Sequence, residues 1–257
     1  MSHAYSFFLF SVGLFLTPKV IATDKYRWWI LFGLTIGLIV LIRPTNLLFI
    51  LVPLLYGCYS LKDIVNRTAH FIQKFRQVFV SLLLAITVFI PQLVYWHHIS
   101  GSWIYYSYGN EHFIFWQSPK IIEVLFSVQN GWLLYSPIMI TAIAGLYFSA
   151  KQRHPLFLPT IIILPMATYI FASWWAWWFG AAFGHRSYIE FTSMLLFPML
   201  YFIQWLNRKS FPLFTLGWVC LTLLTYYSVK MSYLYTPPWD GPTWNWSRYV
   251  EQLNHLF

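Results

Sequence analysis

The chain has 257 residues, 59% of them hydrophobic and only 9% charged, with a mean hydropathy of +0.58. Soluble domains carry about 25% charged residues, so this composition excludes a water-soluble globule, which would lack the polar groups to cover its surface. The formal charge of +9 comes from cations in separate short segments between apolar runs. That pattern argues against a nucleic-acid partner, which needs cations clustered on one soluble face, and makes charge a record of topology.

Apolar runs lie at about 5–16, 28–42, 47–59, 78–95, 132–149, 156–172, 191–206 and 211–229. Within lipid only a helix satisfies its backbone groups over such lengths. The expected fold class is therefore all-α: a polytopic transmembrane helical bundle of about eight spans, one membrane domain over 1–257, with no soluble domain. Several runs fall short of the ~20 residues of a full span. The first is the shortest, which suits either the stub of a longer element or a helix lying in the interface. The start, Met1 to Tyr5, lacks the basic region of a signal peptide, so the first run is expected to stay in the membrane with its beginning outside.

Lys19, Lys25 and Arg27, then Lys62, Arg67, Lys74 and Arg76, then Lys151 and Arg153, then Arg208 and Lys209 occupy every second loop. Cytoplasmic loops are the basic ones. The intervening segments hold Arg43, Lys120, Arg186, Lys230 and Arg248 together with Glu111, Glu123, Glu190, Asp240 and Glu251, and are predicted to face outward. The alternation requires a hairpin between runs two and three, turning at Arg43, Pro44, Thr45 and Asn46, where proline and asparagine supply the break. A single bent helix there would invert the assignment on one side of it. The outward regions are then the loops 96–131 and 173–190 and the tail 230–257.

Cys58 and Cys220 sit at the edge of or inside apolar runs with no Cys or His partner at metal-ligand spacing, so neither a disulfide framework nor a zinc site is predicted. Arg43, at a run's end, suits two readings: snorkelling to the headgroups, or binding a lipid-carrier phosphate through its planar fork. In the second loop, five rings fall in six residues from Trp174 to Phe179. Interfacial aromatic belts account for many such rings. Flat indole faces also stack on the apolar faces of sugars, which makes Trp174, Trp175, Trp177 and Trp178 candidate sugar contacts.

Gly180, Gly184, His185 and Arg186 follow, with glycines that let the backbone bend toward a ligand and cations suited to a leaving phosphate. The plainer reading pairs Arg186 with Glu190, four residues on. In the long loop, Glu111 beside His112 is the candidate general base. His97 and His98, adjacent in sequence, cannot face one ion from a regular helix, and no metal site or cofactor is assigned. Neither a nucleophile triad nor a phosphate-cradling glycine loop is present.

Three stretches carry a family resemblance: Gly-Leu-Ile-Val-Leu-Ile-Arg-Pro-Thr-Asn from Gly37, Val-Leu-Phe-Ser-Val-Gln-Asn-Gly-Trp-Leu-Leu-Tyr-Ser-Pro from Val124, and Trp-Trp-Ala-Trp-Trp-Phe-Gly-Ala-Ala-Phe-Gly-His-Arg-Ser-Tyr from Trp174. Together they resemble bacterial polytopic glycosyltransferases of the GT-C type, the relatives of protein mannosyltransferases and lipid A aminoarabinose transferases. The resemblance covers residues 1 to about 205 and rests on loose patterns. It implies an enzyme of the bacterial inner membrane that moves a sugar from a polyprenyl-phosphate donor to a glycan, lipid or protein acceptor on the outer face. It also implies Arg43, His185 and Arg186 as donor-phosphate contacts and the tryptophan run as a sugar wall. In such enzymes the catalytic acid sits in the first outward loop near the N-terminus, ahead of several more spans. This chain begins beyond that loop, so it is expected to be the C-terminal part of such an enzyme, inactive alone. The rival classes are a transporter, which would show paired broken helices in two halves, and a non-catalytic scaffold subunit.

Overall fold

The apolar runs fold as helices. The computed structural model describes residues 2–180, 182–236, 239 and 243–256; Asp240, one of the acids assigned outward, lies outside the described residues. Thirteen α-helices and two short 3₁₀ stretches make up the described secondary structure, with one isolated β-bridge between Phe113 and Trp174. The protein is all-helical. Chain contacts divide it into two units, residues 1–112 with 155–164, and residues 113–154 with 165–257.

In the first unit α1 (Ser2–Ala22) and α2 (Tyr26–Ile42) form a hairpin. The buried residues of α2 include Trp29, Phe32, Gly33, Ile36 and Gly37, a three-and-four spacing that gathers them on one helix face. Gly33 and Gly37, one turn apart, meet α5 (Phe75–Thr87). A Cβ on Gly33 would lie 2.4 Å from the Ser81 carbonyl oxygen, and one on Gly37 would lie 2.7 Å from that of Ala85. Small residues at four-residue spacing let two backbones close to this range, the mode by which helices associate in lipid. The Ser81 hydroxyl completes the contact by donating to the Trp29 carbonyl at 2.7 Å.

The turn expected at Arg43–Asn46 is present. Arg43 is extended and ends α2; Pro44, which has no N–H to leave unpaired, opens a seven-residue 3₁₀ stretch, Pro44–Ile50, continued by α3 (Leu51–Leu55). The 47–59 run is therefore a compound element and not the regular helix expected. It lies along α1: the Asn46 amide donates to Ser6 at 3.4 Å, and Phe49 sits over Gly13 and edge-on to Phe10 at 4.8 Å. Tyr56 is reached at the far end of α1. At 2.0 and 1.5 Å per residue the twelve residues cover about 21 Å, close to the rise of α1 over the same interval.

At that far end α4 (Leu61–Gln73) begins with a capping box of Ser60 and Asp63. The sequence reading treated this stretch as a basic loop; it is a helix. Arg67 donates to the Tyr56 carbonyl at 2.9 Å, His70 Nε2 to the Ile21 carbonyl at 3.1 Å, and Lys74 pairs with Asp24 at 2.8 Å. The basic segments 19–27 and 62–76, assigned to one side by the alternation of charge, thus meet directly.

In the second unit α9 (Met139–Lys151) and α11 (Thr192–Leu206) run parallel. A Cβ on Gly145 would fall 1.9 Å from the Pro198 carbonyl oxygen, and one turn on Phe148 stacks on Trp205 at 5.0 Å. The Lys151–Arg153 and Arg208–Lys209 pairs follow the same ends of the two helices. The 132–149 run is broken: α8 (Trp132–Tyr135) stops before Pro137, and α9 starts anew. The unit also holds α7 (Ile121–Phe126), α12 (Phe211–Leu234) and α13 (Trp246–Leu253). α10 (Phe157–Ser173) contains Pro165 and contributes to both units.

The tail, expected to face outward, packs its aromatic rings into a core. Trp239, Trp244 and Tyr249 are buried with Val128, Tyr135 and Met231 in one core. Trp239 and Trp244 stack at 4.7 Å, and the Trp244 indole donates to the Val128 carbonyl at 2.8 Å.

Among the described residues three helices are long and apolar enough to cross a membrane: Ser2–Ala22, Phe75–Ser100 and Phe211–Leu234. The first run, expected to be the shortest at 5–16, is thus one of the longest. The second long helix comprises α5 and α6 (Ile90–Ser100), so the predicted loop 96–131 starts inside it. Likewise α12 outlasts the predicted boundary at 229.

Candidate functional site

The residues predicted to act together fall in both units. In the first, Arg43 Nη1 lies 3.2 Å from His3 Nδ1; a guanidinium only donates, so Nδ1 accepts. Glu111 is exposed, and its backbone carbonyl takes a hydrogen bond from the Tyr106 hydroxyl. His97 stacks flat on Trp103 at 4.2 Å.

In the second unit a cavity of about 80 Å³ is lined by Trp132, Ser136, Met139, Phe183, Gly184, His185, Arg186, Tyr188, Ile189 and Thr192. Its back wall is a parallel stack: the rings of Trp132 and Tyr188 lie 4.1 Å apart at 6°. The Tyr188 hydroxyl donates to Thr168 Oγ1 at 2.8 Å. Burial pushes this phenol well above its ordinary pKa, against the opposing pull of the Thr168 bond, so it acts as a neutral donor. Arg186 brings the cavity's cation and is half-buried. Ser136 and Thr192 add hydroxyls at the margin.

Local backbone chemistry explains why these groups converge. Arg186–Tyr188 is a single 3₁₀ turn, entered through Gly184 at φ +63°. A Cβ on Gly184 would stand 3.3 Å from that of Tyr135, so the glycine there serves both the left-handed turn and the close approach. Ahead of Trp132, Asn130, at φ +60°, turns the chain into Gly131 and α8. Asparagine is the residue that tolerates this conformation after glycine, and its amide donates to the Trp178 carbonyl at 3.1 Å.

His185 is 4% exposed and enclosed by the rings of Phe179 at 5.0 Å, Tyr188 at 5.0 Å and Phe171 at 5.7 Å. Its Nε2 lies 2.9 Å from the Trp177 carbonyl; a carbonyl only accepts, so Nε2 carries the proton. Histidine in this setting fixes the loop that carries Arg186.

None of the four predicted tryptophans lines the cavity. Trp174 is edge-on to Phe113 at 4.8 Å and holds the segment after residue 112 to the end of α10. Trp177 and Trp178 meet edge to face at 5.5 Å, and their carbonyls serve His185 and Asn130. Trp175 is the exposed member of the run, 36% accessible. Glu190 is fully buried, and among the described residues Arg186 forms no ion pair with it.

Sequence reasoning missed Trp132 and Tyr188 as wall residues because a lone ring carries no mark of its neighbours. The Asn130-Gly131 pair before Trp132 was the signal that a turn, not a helix start within lipid, shaped that end. Compared with family models, curated proteins and solved structures, the chain gives no match in any of the three.

Proposed function

We propose that the chain is a membrane glycosyltransferase, or the C-terminal part of one, which uses a polyprenyl-phosphate-linked sugar to glycosylate a cell-envelope acceptor. In this reading the chain crosses a bacterial inner membrane about eight times and presents the cavity outward. The observation that carries the reading is the pairing, in one small cavity, of the Arg186 cation with the Trp132–Tyr188 aromatic stack. The cation offers a donor phosphate a bidentate fork, and a flat aromatic wall suits a sugar or prenyl face. About 80 Å³ is the room of two or three waters at roughly 30 Å³ each, so the cavity takes a phosphate-sized group while the rest of the donor lies outside it.

The chemistry follows from charge. As the glycosidic bond to phosphate breaks, negative charge grows on the leaving oxygens, and Arg186 stabilises it. Tyr188, kept neutral, can donate only while its bond to Thr168 is exchanged. Glu111, beside His112, is the candidate base for the acceptor hydroxyl on its chemistry, and Arg43 is a candidate phosphate contact on the family resemblance. The exposed Trp175 is the member of the indole run best placed to meet a sugar.

The test is binding of undecaprenyl phosphate to the purified chain in detergent, measured by native mass spectrometry. Arg186→Gln is expected to weaken binding by at least about tenfold, as removing a charged partner costs some 1.5–3 kcal/mol, while leaving helicity and membrane insertion intact. Undiminished binding by the variant rejects the assignment.

A further inference from the structure

The helix α4 is amphipathic in the wrong sense for a water-facing element. Three of its basic groups turn into the protein: Arg67 donates to Tyr56, His70 to Ile21, and Lys74, next after the helix, pairs with Asp24. Its only carboxylate, Asp63, accepts from the Tyr59 and Ser60 N–H groups at 2.9 Å. No residue of α4 is buried. Part of the side turned outward is an apolar stripe, flanked by the exposed Lys62, Asn66 and Gln73, with Leu61 83%, Val65 65%, Ile72 68% and Phe75 62% exposed. Spacings of four, seven and three place these on one stripe. A helix in water turns its apolar residues to the core; this one turns in Phe71, edge-on to Trp29, but leaves a second apolar stripe outside, which suits an apolar medium along that stripe.

Two further observations identify that medium. Beyond Lys74 the stripe continues along the Phe75–Ser100 helix through Phe79, Leu82, Ile86 and Ile90, all more than half or half exposed, on a helix long and apolar enough to cross a membrane. The exposed flank of α4 carries Lys62, and Arg76, also exposed, follows just beyond it, over the Phe75 ring. α4 also passes across the ends of α1, α2 and α3, which it touches at Ile21, Asp24 with Trp29, and Tyr56, so it lies athwart the helices it caps.

We propose that α4 is an interfacial lipid-binding helix: phospholipid covers the Leu61–Val65–Ile72–Phe75 stripe, and Lys62 and Arg76 engage headgroup phosphates of anionic lipid. An amphipathic helix with an apolar face and a cationic margin takes this place in a bilayer, and cations at an anionic surface add to it. The anchor fixes the level at which the α1–α2–α3 ends meet the headgroups. A cavity of about 330 Å³ behind α4, lined in part by Asn66, Arg67 and His70, lies at that same level. The inference rests on residence in a membrane and not on sugar transfer, so its failure leaves the Arg186 test untouched.

The experiment uses the full chain in phosphatidylcholine vesicles with and without phosphatidylglycerol. Spin labels are placed singly by Val65→Cys, Ile72→Cys, Asn66→Cys and Gln73→Cys in a Cys220→Ser background; all four positions are exposed, so folding is preserved. With a nickel chelate on both sides of the vesicle, the oxygen-to-nickel accessibility ratio is expected to be at least about threefold higher at 65 and 72 than at 66 and 73. Phosphatidylglycerol retained on the purified chain should fall about fivefold for each of Lys62→Glu and Arg76→Glu. Equal ratios at all four positions overturn the proposal. So does shielding of position 65 from both reagents with disulfide formation between two chains, which would make a second copy the occupant.

Discussion

Replacing Gly33 by isoleucine tests the tightest helix contact of the first unit. The new Cβ would lie 2.4 Å from the Ser81 carbonyl oxygen, where 3.4 Å is an ordinary contact; the difference, 3.4 minus 2.4, forces α5 about 1 Å away from α2. A gap of that size forfeits a quarter to a half of the dispersion energy between the facing atoms, and overpacking of this kind costs about 1–3 kcal/mol. The Ser81–Trp29 bond, 2.7 Å long, stretches out of range and adds about 0.6 kcal/mol, the mean for interhelical bonds in lipid. The expected destabilisation is about 2–4 kcal/mol, read as a lower sodium dodecyl sulfate concentration for unfolding in mixed micelles. Gly33→Ala separates packing from propensity: alanine favours a helix by about 1 kcal/mol in water, so a stabilised Gly33→Ala chain would refute the close approach.

The other outcomes follow from single contacts. Tyr188→Phe keeps the Trp132 stack and loses only the bond to Thr168, so it should cost about 1 kcal/mol in thermal unfolding, whereas Tyr188→Ala should cost about 3–5 kcal/mol. Trp244→Phe leaves the Val128 carbonyl and the Tyr135 hydroxyl without their indole donor and should cost about 1–3 kcal/mol by the same assay. Desolvation holds the His154 imidazole below its usual 6.5, where it stacks on Phe197 at 5.0 Å. The unfolded chain therefore takes up this proton first, and the stability His154 supplies is complete above pH 6.5 and lost as pH falls below it; His154→Phe should flatten that part of the stability profile. Asp24→Asn should change little, because Asp24 is 73% exposed and such pairs contribute about 0–1 kcal/mol.

Much of the first unit was legible before any coordinates. Arg43-Pro44-Thr45-Asn46 breaks the chain where proline cannot continue a helix, and the basic segments matched by charge meet through Lys74 and Asp24. Hydropathy found the apolar runs but not their interruptions, because Ser136 and Pro137 barely lower a window average while ending α8. It also hid α4, whose cations made the segment look like a loop although Arg67, His70 and the following Lys74 face inward. The site was half legible. Arg186 and Gly184 stand where the motif suggested, but the tryptophans beside them serve through their carbonyls, which no side-chain pattern reports. The packing of the tail was not legible because composition cannot separate rings that meet lipid from rings that meet one another.

The indole of Trp244 finds its acceptor 116 residues upstream, at Val128. A ribosome releases that acceptor long before the donor exists, so the newborn second unit waits with an uncapped aromatic socket until Trp244 has been made. Closure of this unit is thus timed by synthesis of the segment that carries Trp239 and Trp244, and a chain cut short before Trp239 would emerge with α7 to α12 made and its socket open to quality-control proteases.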